Sequence, residues 1–418
     1  MDRFLIEGPT PLEGEIAVGG AKNAVLPLMA AALLARGESV IDNVPDLQDV
    51  RFFMTILEGL GARCGLEGHR LTIDTTNLDS HEAPYDLVRK MRASIYVLGP
   101  LLASMGRARV SMPGGCAWGP RPVNLHLEGM TALGATIELD EGYILGSTAG
   151  GLKGGRFRFE PSSVGGTCNL LMAAVLAEGT SQFENCAVEP EVTQLAEALT
   201  AAGAKIEGVG TTSLTVQGVA EIAPVVHKVM ADRIEAGTFM AGVALATGRV
   251  TLVGVDPEHL SPVTSVLQDM GCEISPDGDL LTIEATGRPQ PVEVVTRPYP
   301  GFPTDMQAQV MAACCVANGT SFITETIYTD RFTHVAELQR LGADIRLDGA
   351  RAAIFGVERL QGAPVMATDL RASAALVLAG VAAAGETVVN RVYHIDRGYE
   401  RIEERLAALG AKIRRVRD

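Results

Sequence analysis

Long apolar runs alternate with short β-branched ones along this chain, and the alternation recurs. Asn169 to Ala177 and Arg371 to Ala384 are apolar on nearly every side of a helix, the pattern of a helix buried over most of its surface. A glycine closes such a run, as expected at a helix C-terminus. A short strand follows: Val40-Ile41, Val250-Thr251-Leu252, Thr387-Val388-Val389. Next comes an amphipathic helix, apolar at i, i+4 and i+7 in Ile402, Leu406 and Leu409. A Leu-Gly-Ala mark ends that helix. A strand or hairpin then finishes the unit, as at Lys205-Ile206, Glu273-Ile274 and Arg351 to Phe355.

The mark counts the units. Leu60-Gly61-Ala62 returns as Leu133-Gly134-Ala135, Ala202-Gly203-Ala204, Met270-Gly271-Cys272, Leu341-Gly342-Ala343 and Leu409-Gly410-Ala411. Successive glycines lie about 70 residues apart, and a fixed period identifies internal repeats. A second glycine mark precedes each, at Gly37, Gly106, Gly179, Gly248, Gly319 and Gly385. Familiar solenoids repeat every 20–50 residues or so, which is too short. Six such units predict an α/β fold with buried helices inside and sheets outside, units one to three in one globule and four to six in another.

Composition narrows the class. Hydrophobic residues make up 47% of the 418 and charged residues 20%, which suits a well-buried globular protein of two or three domains. The net charge of -15 argues against nucleic acid and anionic membranes as partners, since both demand an excess of Lys and Arg. An anionic ligand would need a local basic cluster. The seven cysteines are odd in number and contain no C-x-x-C, so neither a disulfide framework nor a zinc site is expected. No charged-then-apolar leader follows Met1, and runs such as Ala24 to Leu34 are too short to span a bilayer. These features predict a cytoplasmic protein with no membrane insertion and no metal.

Polar residues interrupt the apolar pattern at a few places. Ser111 to Pro122 holds three glycines and three prolines around Cys116, with Arg121 five residues on. Gly114-Gly115 and the flanking prolines predict an exposed, stiffened loop bearing a thiol and a guanidinium. Gly19-Gly20-Ala21-Lys22-Asn23 leads into an apolar helix, an arrangement ready for phosphate through free N–H groups, the dipole and an ammonium. Taken alone, Lys22 reads as a solvated first-turn lysine. Arg92, Asp232, Asp305 and Asp369 stand at the starts of four buried helices. Each acid has a plain explanation as an N-cap; together, in equivalent units, they would line one cleft. Arg331, Arg397 and Glu189 occupy turns of matching units. The sum predicts a site for an anionic substrate and acid/base chemistry.

Gly20-Ala21-Lys22-Asn23, Pro113-Gly114-Gly115-Cys116 with Gly119-Pro120-Arg121-Pro122, and His394 to Arg401 together strongly resemble the enolpyruvyl transferases, in the branch that acts on a UDP-sugar. The resemblance runs from the first strand to Asp418. It implies an inside-out α/β barrel of two lobes, residues 22–229 and residues 1–21 joined to 230–418, each of three repeats. It also implies a reaction: the enolpyruvyl group of phosphoenolpyruvate passes to the 3′-hydroxyl of UDP-N-acetylglucosamine and phosphate leaves through a tetrahedral intermediate. These small molecules would be the partners of a monomer or weak oligomer that needs no cofactor.

Carried over by position, Lys22, Arg121 and Arg397 would hold the phosphate and carboxylate of phosphoenolpyruvate, with Asn23, Arg92 and Arg371 near them. Such anions suit charged donors of fork geometry. Cys116 would be the general acid at the methylene carbon, Asp305 the base at the 3′-hydroxyl, and Asp369 its neighbour. Lys22 and Arg397 count among the catalytic residues. The sugar nucleotide would meet Asn23, Arg92, Arg121, Pro122, Val123, Asn124, Leu125, Ser163, Val164, Gly165, Asp305, Ile327 and Arg331. Glu189 and Asp232 match further cleft positions. Asn124 stands where an acid is common in the family, Pro161 where some members have a lysine, and Trp118 is bulky for its loop.

Three alternatives stay open at this stage. The sister enzyme acting on shikimate 3-phosphate lacks the cysteine loop. An RNA-end cyclase sits badly with the net charge. A non-catalytic scaffold would leave Cys116→Ala and Lys22→Ala without effect.

Overall fold

The computed structural model describes residues 2–88, 91–112 and 123–417, the side chains of Leu87, Val88 and Arg92 excepted. The chain forms two compact α/β units, one from residues 2–19 and 231–417, the other from the described residues of 20–230.

Each repeat places a buried helix beside a four-stranded sheet. The helices are α1 (Lys22–Ala31), α2 (Leu98–Met105), α3 (Val164–Val175), α4 (Arg233–Ala246), α5 (Gln307–Cys314) and α6 (Leu370–Ala382). Within the unit of 231–417, α4, α5 and α6 pack on one another. Their small residues permit close approach: a Cβ on Gly242 of α4 would lie 3.0 Å from Leu378 of α6. Strands alternate buried and exposed positions, as in Thr320–Thr324 and Arg351–Phe355, so one sheet face lies on the helices.

The repeating Leu-Gly-Ala mark has one physical cause. All six glycines, from Gly61 to Gly410, have positive φ. In every case the next residue's N–H reaches back to a helix carbonyl, as in Ala204 to Leu199 (2.9 Å) and Ala411 to Leu406 (3.0 Å). This is the Schellman ending, where a left-handed residue lets the chain reverse and satisfy the last carbonyls. The second mark's glycines, Gly37 through Gly385, also have positive φ.

Sheet order shows how the repeats close. In the third repeat Arg156–Arg158 pairs in parallel with Thr180–Glu184, and the hairpin Lys205–Glu207 and Ser213–Gln217 adds antiparallel strands. The first repeat takes its parallel strand from far along the chain, Val226–Lys228 against Glu38–Asp42. The fourth takes Leu12–Ala17 against Gly248–Val253. In the sixth, Arg3–Gly8 lies between Gly385–Asn390 and Lys412–Val416, antiparallel to both. The 70-residue period alone did not indicate these exchanges.

Two helix starts differ from the expected ones. Helix α3 begins at Val164, five residues before Asn169, because Ser163 caps it: Oγ accepts from Gly166 N at 3.1 Å. The adjacent Gly165-Gly166 disguises this start, glycine being a poor helix former. The apolar run after Arg92 opens as a 3-10 segment, Arg92–Val97, and becomes α2 only at Leu98.

Candidate functional site

Three helices in the unit of residues 231–417 begin beside an acid, and the three acids behave differently. Asp232 Oδ1 accepts from Ile234 N (2.8 Å) and Glu235 N (3.1 Å) at the start of α4. Asp369 Oδ1 accepts from Arg371 N (3.0 Å) and Ala372 N (3.1 Å) at the start of α6, and its Oδ2 from Thr333 Oγ1. Both are N-caps, as their positions alone suggest. At α5 the cap positions fall on Pro303 and Met306, neither of which makes a side-chain capping bond. Asp305 lies between them in a 3-10 turn, Thr304–Met306, with its carboxylate turned to two guanidinium groups.

Arg331 Nη1 donates to Asp305 Oδ1 at 2.8 Å and to Thr304 Oγ1 at 2.9 Å. Arg371 donates to Oδ2 from Nε (3.2 Å) and Nη2 (3.1 Å). Both arginines are buried, whereas the Asp305 side chain is 27% exposed. Burial works against the charge of Arg371, yet Tyr399, Asp305 and Asp232 hold its pKa above the ordinary arginine value. Among the described residues its Nη1 is buried without a hydrogen-bond partner, an expensive condition for a donor and one that an anionic oxygen would relieve. Beneath this group, Gln309 Nε2 donates to Asp305 O (2.9 Å) and to Thr238 Oγ1 (3.2 Å), and Thr238 bonds Tyr399 Oη at 2.8 Å. One polar network thus ties α4, α5 and the 399 turn under the acid.

Arg397 ends the 3-10 turn Val392–Arg397 and is half-buried. Its neighbour Asp396 is gripped by Arg415 (Nη1 to Oδ2, 3.0 Å), which also donates to Glu403 at 2.7 Å. Ile327 sits in the turn after the strand Thr320–Thr324.

In the unit of residues 20–230, Lys22 corrects the solvated reading. Its side chain is buried at the start of α1, and Nζ lies 2.6 Å from Asp49 Oδ2 on the helix Gln48–Gly59. Gly20 sets that entry by close approach, for a Cβ there would fall 1.7 Å from Asn43 O. Asn23 is exposed beside it. Glu189 precedes the helix Pro190–Ala201 and makes no side-chain capping bond.

The segment Val123-Asn124-Leu125 and the turn Ser163-Val164-Gly165 come together through His126. A Cβ on Gly165 would lie 3.2 Å from the His126 ring. Asn169 fixes that ring: its Oδ1 accepts from Gly99 N (2.7 Å), so its Nδ2 must donate, to Ile95 O (2.8 Å) and His126 Nδ1 (3.0 Å). Nδ1 is therefore the acceptor and Nε2 carries the proton. Val123 is buried, Leu125 half-buried and Asn124 exposed, with Nδ2 3.3 Å from Glu128 Oε1.

Cys116, Trp118, Arg121 and Pro122 lie outside the described residues, as does the Arg92 side chain. The six described cysteines are half-buried or buried. Burial pushes the thiol of Cys272 up to about 11, and those of Cys64 and Cys314 up to about 12. Cys186 rises to about 11 from the same cause, and Cys168 and Cys315 are also raised. Among the described residues no cluster of His, Cys, Asp and Glu could hold a metal, and no helix is long and apolar enough to cross a membrane.

Sequence reasoning missed Asn169, Gln309 and Tyr399 as parts of these networks. Buried polar side chains within apolar helices, such as Asn169 and Gln309, were the available signal.

The family model for EPSP synthase (3-phosphoshikimate 1-carboxyvinyltransferase) matches residues 6–406. A UDP-N-acetylglucosamine 1-carboxyvinyltransferase of Anaeromyxobacter dehalogenans (strain 2CP-C) is 54% identical over 421 aligned positions, covering 100% of both chains. One of Psychrobacter sp. (strain PRwf-1) is 51% identical over 100% of this chain and 97% of its own. Among solved structures, the enolpyruvyl transferase NikO from Streptomyces tendae is 27% identical with a TM-score of 0.90, covering 99% of each chain. EPSP synthase from Acinetobacter baumannii, 19% identical over 100% of each chain at a TM-score of 0.75, shares the fold. Matched along almost its whole length, the chain belongs to the EPSP synthase family of 1-carboxyvinyl, or enolpyruvyl, transferases.

Proposed function

We propose that this protein transfers the enolpyruvyl group of phosphoenolpyruvate to the 3′-hydroxyl of UDP-N-acetylglucosamine, releasing phosphate, in the first committed step of peptidoglycan precursor synthesis. The observation that carries the chemistry is Asp305: an acid at a helix start, its carboxylate set between two buried arginines. The choice of sugar nucleotide follows the full-length relatives of that name.

In this scheme Asp305 takes the proton of the 3′-hydroxyl as its oxygen attacks C2 of phosphoenolpyruvate. The Cys116 thiol gives a proton to C3, so a tetrahedral adduct with a methyl group forms. Loss of a C3 proton and of phosphate then restores the double bond. Lys22, Arg121 and Arg397, with Asn23, Arg92 and Arg371 nearby, neutralise the phosphate and carboxylate, and Asp369 stands by the base. A ligand oxygen on Arg371 would satisfy its buried Nη1 and loosen its hold on Asp305, leaving that carboxylate free to act as a base. The sugar nucleotide lies along 122–125 and 163–165, with the Nε2–H of His126 near the turn, and on Ile327 and Arg331. The two units serve as the lobes 22–229 and 1–21 with 230–418 of an inside-out α/β barrel, acting in the cytoplasm as a monomer or weak oligomer.

The test is phosphate release from phosphoenolpyruvate with UDP-N-acetylglucosamine in one tube and shikimate 3-phosphate in another, beside Cys116→Ala. Release only with the sugar nucleotide, lost in the variant, is expected. Release only with shikimate 3-phosphate would move the protein to the sister activity. The thiol assignment has its own check. Burial raises the six described thiols, so iodoacetamide at neutral pH should label the native protein once, at Cys116. Labelling that persists in Cys116→Ala would demote it.

A further inference from the structure

Glu325 is a buried carboxylate that the reaction scheme leaves unused. It follows the strand Thr320–Thr324, is 0% exposed, and accepts four hydrogen bonds. Its Oε1 takes Thr296 Oγ1 (2.7 Å), Ile327 N (2.8 Å) and Tyr328 N (3.1 Å); its Oε2 takes Thr304 Oγ1 (2.9 Å). A buried carboxylate is tolerated when its acceptor sites are filled in this way.

Two consequences follow from the donors it holds. The N–H groups of Ile327 and Tyr328 converge on one oxygen, which pins the turn 326–328 to the end of the strand. Thr304 has a single hydroxyl proton and gives it to Glu325. Its oxygen must then be an acceptor, and the donor it meets is Arg331 Nη1 at 2.9 Å, the same nitrogen that donates to Asp305 Oδ1. The direction of every bond from Glu325 to Asp305 is therefore set by the negative charge at its far end.

We propose that Glu325 is a positioning residue: through Thr304 it orients Arg331 on Asp305, and through the turn 326–328 it places Ile327, so one carboxylate sets the base and the sugar-nucleotide contact together. This rests on the reaction proposed above. An amide cannot replace the carboxylate. With its NH₂ toward Thr304, Oγ1 accepts from the amide as well as from Arg331 Nη1, and the hydroxyl proton loses the acceptor that the carboxylate gave it. With its NH₂ toward the turn, it opposes the N–H groups of Ile327 and Tyr328.

The experiment compares Glu325→Gln, Thr304→Val, Thr304→Ser and the double variant Glu325→Gln/Thr304→Val with the wild type. It measures kcat, KM for UDP-N-acetylglucosamine and thermal midpoint. Because a small misplacement of reacting groups carries large kinetic penalties, Glu325→Gln and Thr304→Val should each lower kcat by about 10- to 100-fold. Thr304→Ser should recover most of the loss seen with valine. The double variant should lose little more than the worse single one, since both act along one path. KM for the sugar nucleotide should rise in Glu325→Gln and much less in Thr304→Val, which leaves the turn pinned. Wild-type turnover with an unchanged kcat in Glu325→Gln, whatever its thermal midpoint, would leave Glu325 a structural staple and overturn the proposal alone. Fully additive losses would overturn the shared path. No turnover by the wild type would remove the reaction and this role together.

Discussion

The start of α5 and the starts of α4 and α6 are the same place in successive repeats, yet their acids do different work. Asp232 and Asp369 stand immediately before their helices and are taken up by backbone N–H groups. At α5 a proline occupies the cap position, and the acid comes two residues later, inside the turn. That offset turns Asp305 away from the backbone and toward Arg331 and Arg371. A carboxylate used as a cap stabilises a helix; one held by guanidinium groups can exchange them for a substrate. In a repeated fold, the copy that breaks the local rule is where chemistry is to be sought.

The sharpest way to break this comparison is kinetic. Asp305→Ala should lower turnover by about 10²- to 10⁴-fold, the usual contribution of a positioned base, while circular dichroism shows a folded chain. Near-normal turnover would remove Asp305 as the base. Because that variant leaves two buried guanidinium groups without their carboxylate, added inorganic phosphate should raise its thermal midpoint more than that of the wild type.

The next effect lies between the two kinds of helix start. His334 is buried, and its pKa is lowered to about 4 by that burial; Asp369 pulls it upward and Arg331 pushes it down. Its folded value lies below its ordinary value of 6.5, so the unfolded chain binds the extra proton as pH falls between them. Stability is full above the unfolded value and is lost toward pH 4, by about 3 kcal/mol from this group. Urea unfolding of wild type and His334→Gln at pH 7 and 4.5 would read it. Equal pH slopes in the two proteins would discard His334 as the source.

The smallest effect sharpens the capping half. Asp232→Ala should cost about 1 kcal/mol of stability and Asp232→Asn much less, because asparagine also caps. A collapse of kcat in Asp232→Ala comparable to that in Asp305→Ala would erase the distinction between the two starts.

What the sequence made legible was whatever depends on neighbours in the chain. The six Leu-Gly-Ala marks could be found because a Schellman ending needs a left-handed residue, and glycine adopts that conformation without penalty. Asp232 and Asp369 read as caps for the same local reason. Lys22 read as solvated because its partner Asp49 belongs to a different helix, and no local pattern joins the two. Glu325 carried no signal at all: one glutamate between two threonines gains its role only when residues 296 and 304 fold back upon it. The exchange of strands among the first, fourth and sixth repeats was invisible to a fixed period, since periodicity counts repeats and is silent about which strand closes each sheet.

That exchange also imposes an order of events on the ribosome. Arg3–Gly8 leaves the ribosome hundreds of residues before its partners Gly385–Asn390 and Lys412–Val416. At roughly 5–20 residues per second of synthesis, the strand waits tens of seconds with its backbone groups unpaired. The sheet of Glu38–Asp42, in contrast, is complete once Val226–Lys228 emerges. The unit of residues 20–230 can therefore fold first, as an insertion within a partner still being made. The nascent chain must meanwhile keep this idle strand, an inner one in the finished sheet, from pairing with a neighbour's.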